Sequence, residues 1–212
     1  MRPEKSKTMN TELRERIVGT ASVLFERNGI KSVTMDAIAG QMGISKRTLY
    51  ETFRDKDELL MECFVYQHRE TEAETDRIVK TSSNSMEILL RVFFYMLRKL
   101  RTTNRNFYSD MKKYHASISV MFEDDRREHL RNAARLMEQG KEEGLIRADL
   151  KLEIVSMLLK AQFEIWRNTD DFDTSRYSFV EIFETIFMNF FRGIATAKGA
   201  AFIEEFIAKH QE

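Results

Sequence analysis

One proline, Pro3, and eight glycines in 212 residues leave this chain almost nothing that would stop a helix. Proline removes a backbone donor and clashes inside a helix, and glycine loosens one, so their scarcity admits helix nearly everywhere. No short alternating β-branched runs bounded by turn clusters compete with that reading. The expectation is an all-α chain, long enough for a small domain and a larger one.

Within that helical background, residues 34–56 read TMDAIAGQMGISKRTLYETFRDK. Thr34 stands where an N-cap belongs, before a run in which Ile38 and Met42 share one helix face. Gly43 follows, where a left-handed residue turns the chain at no steric cost. Ser45 caps a second short helix whose apolar residues are Leu49 and Phe53, which leaves Lys46, Arg47 and Tyr50 on its other side. Two short helices joined by a glycine turn, the second with a basic first turn, have the form of a helix-turn-helix over about residues 34–53. Arg47 can read guanine by a two-pronged hydrogen bond, and Lys46 more weakly. Hydroxyls of Thr34, Ser45 and Tyr50, with Thr48 beside them, suit phosphate oxygens. Lys56 opens the next helix, where a cation opposes the helix dipole and a nearby phosphate would account for it. The DNA-binding residues are therefore expected to be Thr34, Ser45, Lys46, Arg47, Thr48, Tyr50 and Lys56. The residues alone also admit ordinary caps and solvated charges.

Residues 13–60 resemble the N-terminal domain of the tetracycline-repressor (TetR) family of bacterial transcriptional regulators. The resemblance rests on LF-x-x-x-G at Leu24–Gly29, T-x-x-x-IA at Thr34–Ala39 and G-I-S-x-x-x-LY-x-x-F-x-x-K at Gly43–Lys56. It departs from the family at Met42, where Ala often precedes the turn glycine. Gly40 inside the first motif helix costs about 1 kcal/mol against Ala. The resemblance implies a three-helix DNA-binding domain over 1–56, with a helix from about Thr11 to Arg27 bracing the motif. It also implies a larger helical effector-binding and dimerisation domain over 57–212. The function it implies is a homodimeric repressor of a palindromic DNA operator, released by a small-molecule effector. The alternative is an architectural or adaptor module that binds DNA or protein without sensing an effector.

Beyond the motif, only helical patterning guides the reading. Asp55 is expected to cap a long helix with Leu59, Leu60, Phe64 and Tyr66 inward, and TSSNS at 81–85 marks a turn. Met86 to Leu100 keeps a 3.6-residue period. Further helices are expected near 107–114 and 120–140, before a GLIRADL turn, and at the C-terminal end around Phe202–Ile207. Residues 152–167 and 178–194 are apolar on more than one face. The family resemblance implies that this pair packs against its copy in a second subunit, with Leu158, Ile165, Phe183, Phe187, Phe190 and Phe191 at the interface; a larger monomeric core is the other way to bury them. Effector-lining candidates are Phe93, Met96, Leu97, Tyr108, Met111, Tyr114, Met137, Phe163 and Trp166. Aromatic and methionine side chains suit a large apolar or cationic aromatic molecule, although at any one of these positions such a residue is more often core than pocket.

Net charge is zero but unevenly spread. Residues 1–56 hold 11 Lys and Arg against 7 Asp and Glu, and residues 57–212 hold 23 against 27, so the motif lies at the basic end. The single cysteine, Cys63, cannot form an internal disulfide, and the polar start MRPEKSKTMN is no leader, so a reducing cytoplasm is expected. No apolar run reaches membrane-spanning length. His68, His115, His129 and His210 are scattered, and no metal or cofactor is expected. No glycine-rich phosphate loop, nucleophile elbow or paired metal-ligand motif points to an enzyme.

Overall fold

The computed structural model describes residues 3–107, 110, 116–167 and 176–210, and the side chains among them except 3–10, 116–119, 121, 122, 126, 164, 166 and 167. The described residues form helices α1 (Pro3–Asn28), α2 (Met35–Met42), α3 (Lys46–Thr52), α4 (Lys56–Thr81) and α5 (Ser85–Thr102), then α6 (Ala116–Glu142), α7 (Leu152–Arg167), α8 (Phe179–Ile194) and α9 (Ala197–His210). Only a single bridge between Ile146 and Ala195 has strand character among them. The all-α expectation is met. α1 starts at Pro3, well ahead of Thr11. Proline at the first position of a helix forfeits no hydrogen bond, because that N–H has no partner anyway.

The chain divides into two compact units, Met1–Glu74 with Thr102–Met121, and Thr75–Arg101 with Phe122–Glu212. The division falls late in α4, whereas the sequence reading drew a functional line at 56/57. Asn104 and Asp110 belong to the first unit and bond to the end of α1 and the loop after it. There the Asn104 N–H donates to the Glu26 carbonyl at 2.6 Å, and the Asn104 amide donates to the Arg27 carbonyl at 3.2 Å. Both are carbonyls of the last turn of α1, which no residue of the helix itself can satisfy. The Asp110 carboxylate accepts from the Lys31 N–H at 2.9 Å in the loop before α2.

The core of the first unit is built from one face of each helix. Ile17, Ala21 and Phe25 of α1 meet Ile38 of α2, Leu49 and Phe53 around α3, and Leu59, Leu60, Cys63 and Phe64 of α4, all buried. Each large side chain removed from water contributes on the order of 1.5–3 kcal/mol. Tyr66, expected inward, is exposed; the α4 face toward α1 runs through Cys63 and Phe64 instead. The Cys63 thiol donates to the Val18 carbonyl at 3.6 Å, and burial pushes its pKa up to about 12.

In the second unit, rings from several helices interlock. Phe93 of α5 stacks on Phe183 of α8 with centroids 5.4 Å apart and meets Phe191 edge-on at 5.6 Å. Phe187 lies 4.5 Å from Phe183 and 4.6 Å from Phe163 of α7. Ser178 and Glu181 form a reciprocal capping box at the start of α8. The N-terminus of α5 is capped from a distance: the Glu143 carboxylate accepts from the Ser85 N–H at 2.9 Å and from its hydroxyl at 2.6 Å. The GLIRADL segment packs against the α8–α9 junction. The Leu145 carbonyl accepts from the Thr196 N–H at 3.0 Å, and the Ile194 carbonyl from the Arg147 N–H at 3.0 Å. Gly199 is required there, because a Cβ on it would lie 2.0 Å from the Leu145 carbonyl oxygen.

Candidate nucleic-acid interface

The helix-turn-helix is held by local caps at every junction. Thr34 accepts from the Ala37 N–H at 3.1 Å. Gly43 adopts the left-handed conformation at φ 64°, and the turn closes with Gly43 N–H to Gly40 at 3.2 Å and Ile44 N–H to Ala39 at 3.0 Å. That pair of bonds satisfies the last carbonyls of α2. Ser45 then accepts from the Thr48 N–H at 3.0 Å, and its hydroxyl lies 2.8 Å from that of Thr48. Caps of this kind are worth about 1 kcal/mol each. They matter here because α2 and α3, at 8 and 7 residues, are too short to be stable alone.

Leu49, fully buried, sets the rotation of α3. With Leu49 inward, Lys46, Arg47, Tyr50 and Glu51 are exposed and Thr48 is half-buried. Lys46, Arg47 and Tyr50 are thus brought onto one solvent-facing surface, with Ser45 at its start and Thr34 exposed at the start of α2. Lys46 reaches Asp36 of α2 at 2.5 Å, and Arg47 reaches Glu51 one turn on at 2.7 Å.

Lys56 departs from this surface. Its ammonium donates to the Ile30 carbonyl and lies 5.7 Å from the Phe25 ring centroid. Burial lowers its pKa below the usual lysine value, against the opposing pull of Asp110 and Asp57. A carbonyl in the α1–α2 loop therefore accounts for a cation at the start of α4 without any phosphate.

Sequence reasoning missed Arg14. Its guanidinium donates to the Thr52 carbonyl at 2.8 Å, pairs with Glu58 at 3.2 Å and Glu62 at 3.3 Å, and lies 4.2 Å above the Phe53 ring. It fastens the C-terminal end of α3 to α1 and α4. Nothing in the spacing of the sequence marks a partner 38 residues away. The Arg47–Glu51 pair could have been found, since its partners are four apart on a helix.

The effector candidates divide. Phe93, Leu97 and Met137 are buried in the second unit, and Met96 and Phe163 are half-buried. Tyr108, Met111, Tyr114 and the side chain of Trp166 lie outside the described residues. The interface candidates divide as well. Phe183, Phe187, Phe190 and Phe191 are buried within this one chain, because α8 turns its phenylalanines into its own unit and its polar Glu181, Thr185, Asn189 and Arg192 outward. Leu158 and Ile165 are exposed, together with Ile154 and Met157, so α7 carries the uncovered apolar strip. Among the described residues no three His, Cys, Asp or Glu side chains could together hold a metal ion, and no helix is long and apolar enough to cross a membrane.

Comparison with known proteins agrees with this geometry. The model of the bacterial regulatory proteins of the tetR family matches residues 17–63, from α1 through the helix-turn-helix into α4. The HTH-type transcriptional regulator SAB2452 of Staphylococcus aureus is 39% identical over 59 residues, 28% of this chain and 30% of that protein. Three such sequence relatives are matched over 30%, 49% and 53% of their own lengths, so the likeness in sequence spans about half of them or less. In fold the likeness is wider. A TetR-family transcriptional regulator from Agrobacterium tumefaciens superposes with a TM-score of 0.69 at 16% identity, covering 88% of this chain and 100% of that one. A transcriptional regulator from Saccharomonospora viridis in complex with choline gives 0.67 at 17% identity, covering 88% and 99%. Residues 17–63 thus carry the helix-turn-helix segment of the tetR family of bacterial regulatory proteins, in a chain that has the fold of such regulators over most of its length.

Proposed function

We propose that this protein is a homodimeric transcriptional repressor that binds a palindromic DNA operator and is released by a small-molecule effector. The observation that carries the reading is the exposed face of α3. A short helix fixed by Leu49, Ser45 and Gly43 presents Lys46, Arg47 and Tyr50 together. Such a helix suits a major groove, its side chains meeting base edges and the flanking hydroxyls of Thr34, Ser45 and Thr48 meeting phosphates. Lys56 acts through the loop before α2.

The uncovered strip of α7 supports the dimer. Ile154, Met157, Leu158 and Ile165 are 61%, 71%, 51% and 46% exposed, and they recur at helical spacing with Ala161 between them. A second copy would bury this strip, and two-fold symmetry would set two α3 helices one DNA turn apart. Leu158 and Ile165 remain interface residues in this reading, while the α8 phenylalanines support the interface from within. Effector binding is assigned to the second unit around Phe93, Met96, Leu97, Met137 and Phe163. The choline held by the Saccharomonospora viridis relative makes small cationic molecules the first to try.

Selection of bound fragments from random duplex DNA, with sedimentation of the complex, tests the reading. A repeated inverted sequence occupied by two chains is the expected result; no enrichment, or a lone chain on an asymmetric site, overturns it. A choline-like compound that raises the melting temperature and lowers operator affinity would identify the effector class.

A further inference from the structure

The two strongest base-reading candidates are both held by carboxylates of their own surface. Lys46 and Asp36 are 66% and 54% exposed, and Arg47 and Glu51 are 87% and 62% exposed. The local balance is therefore neutral, in a segment whose overall charge is basic. Helix stability does not explain the arrangement in α3. Its first turn carries cations with no acidic residue, and its last turn carries Glu51 with no basic one, the reverse of what the helix dipole favours. Arginine ahead of glutamate is also the weaker order for a pair four residues apart.

We propose that Asp36 and Glu51 are specificity-determining residues, which suppress binding to random DNA by holding Lys46 and Arg47 in ion pairs that only a matched base sequence replaces. The proposal rests on the reading of α3 as the DNA-facing helix. Attraction to phosphates is independent of sequence and grows with each uncompensated cation. A carboxylate within 3 Å of each cation cancels most of that attraction and is itself repelled by phosphates. An exposed ion pair holds its partners by only about two- to fivefold. A two-pronged contact to guanine discriminates by about tenfold or more, so the correct base opens the pair and a lone phosphate does not. Discrimination then comes partly from an element that works against the wrong partner.

The test uses the full chain as wild type, Asp36→Asn and Glu51→Gln, each titrated with the selected operator and with random-sequence duplex across a range of salt. Each variant is expected to bind random DNA about two- to fivefold more tightly. The logarithm of random-DNA affinity should fall more steeply with the logarithm of salt, by up to about 0.9 per freed cation. Operator affinity should gain less, so the ratio of operator to random affinity drops. Melting temperature should stay near that of wild type for Glu51→Gln and fall only slightly for Asp36→Asn, which removes a carboxylate from the first turn of α2. Unchanged random-DNA affinity and slope would overturn the proposal. So would a loss confined to the operator, which would mean that the carboxylate reads a base itself. A wild type that binds no duplex at all would instead remove the reading of α3 on which the proposal stands.

Discussion

Replacing Arg14 with methionine keeps most of the aliphatic stem and removes the guanidinium that ties α3 to α1 and α4. The magnitude follows from three contacts. A hydrogen bond from a charged donor to the Thr52 carbonyl is worth about 1.5–3 kcal/mol when the alternative is an unsatisfied helix end. Half of that is a fair discount here, because the Arg14 side chain is 34% exposed and water can replace it. Stacking over Phe53 adds about 0.5–1 kcal/mol. The pairs with Glu58 and Glu62 are part-exposed, screened by salt, and add at most about 0.5 kcal/mol together. The sum is about 2 kcal/mol, read as a shift in the urea midpoint of the first unit at unchanged slope. Arg14→Lys should recover only part, since lysine lacks the planar fork that serves a carbonyl, a carboxylate and a ring at once. Operator affinity should fall further than stability explains, because the freed end of α3 no longer sets the recognition face. A variant within 0.5 kcal/mol of wild type in stability, with equal operator affinity, would refute this reasoning.

Leu158→Glu, on the exposed strip of α7, should shift sedimentation toward the monomer and weaken operator binding without lowering helix content, whereas Phe187→Glu buries a charge in the aromatic cluster and should unfold the second unit by circular dichroism. Gly199→Ala sets a methyl 2.0 Å from the Leu145 carbonyl, so α9 must move; a loss of roughly 2 kcal/mol or more by chemical unfolding is expected. Glu143 is held below the ordinary carboxylate range: burial alone would raise it, but the Ser85 hydroxyl and N–H and the Gln139 amide outweigh burial. Its contribution is therefore present above the unfolded value of about 4.3 and is lost as pH falls through its lower folded value. The melting temperature of wild type should drop more between about pH 5 and pH 3 than that of Glu143→Gln.

The helix-turn-helix was legible because its signals are local. Thr34, Gly43 and Ser45 act on backbone groups within five residues, so their identity and spacing alone imply the turn. Long-range partners leave no such trace. Arg14 reads as one more charge on an amphipathic helix, and Glu143 as one more acid at a helix end, although each caps a distant segment. The two last strong helices show where patterning stops. Apolar residues on more than one side of α7 and α8 announce burial, but not by which neighbour. The apolar faces of α8 suit an interface as well as a core, and within this chain Phe183 and Phe187 pack against Phe93 and Phe163. The α7 strip of Ile154, Met157, Leu158 and Ile165 is left outward because Val155 and Leu159 take the inner positions. At Lys56 a cation set against the helix dipole suggests a phosphate, but its ammonium donates to the Ile30 carbonyl, a loop group that no side-chain pattern encodes.

Cys63 gives the first unit a reporter of its own. A thiol sealed between α1 and α4, with its proton held to about pH 12, should ignore maleimide or iodoacetamide while those helices stay together. As the chain's sole cysteine, it makes alkylation a one-site clock for separation of that helix pair, with no dye or added label. Adding operator DNA should slow that clock, and the degree of slowing would measure how firmly the occupied site braces the scaffold behind it.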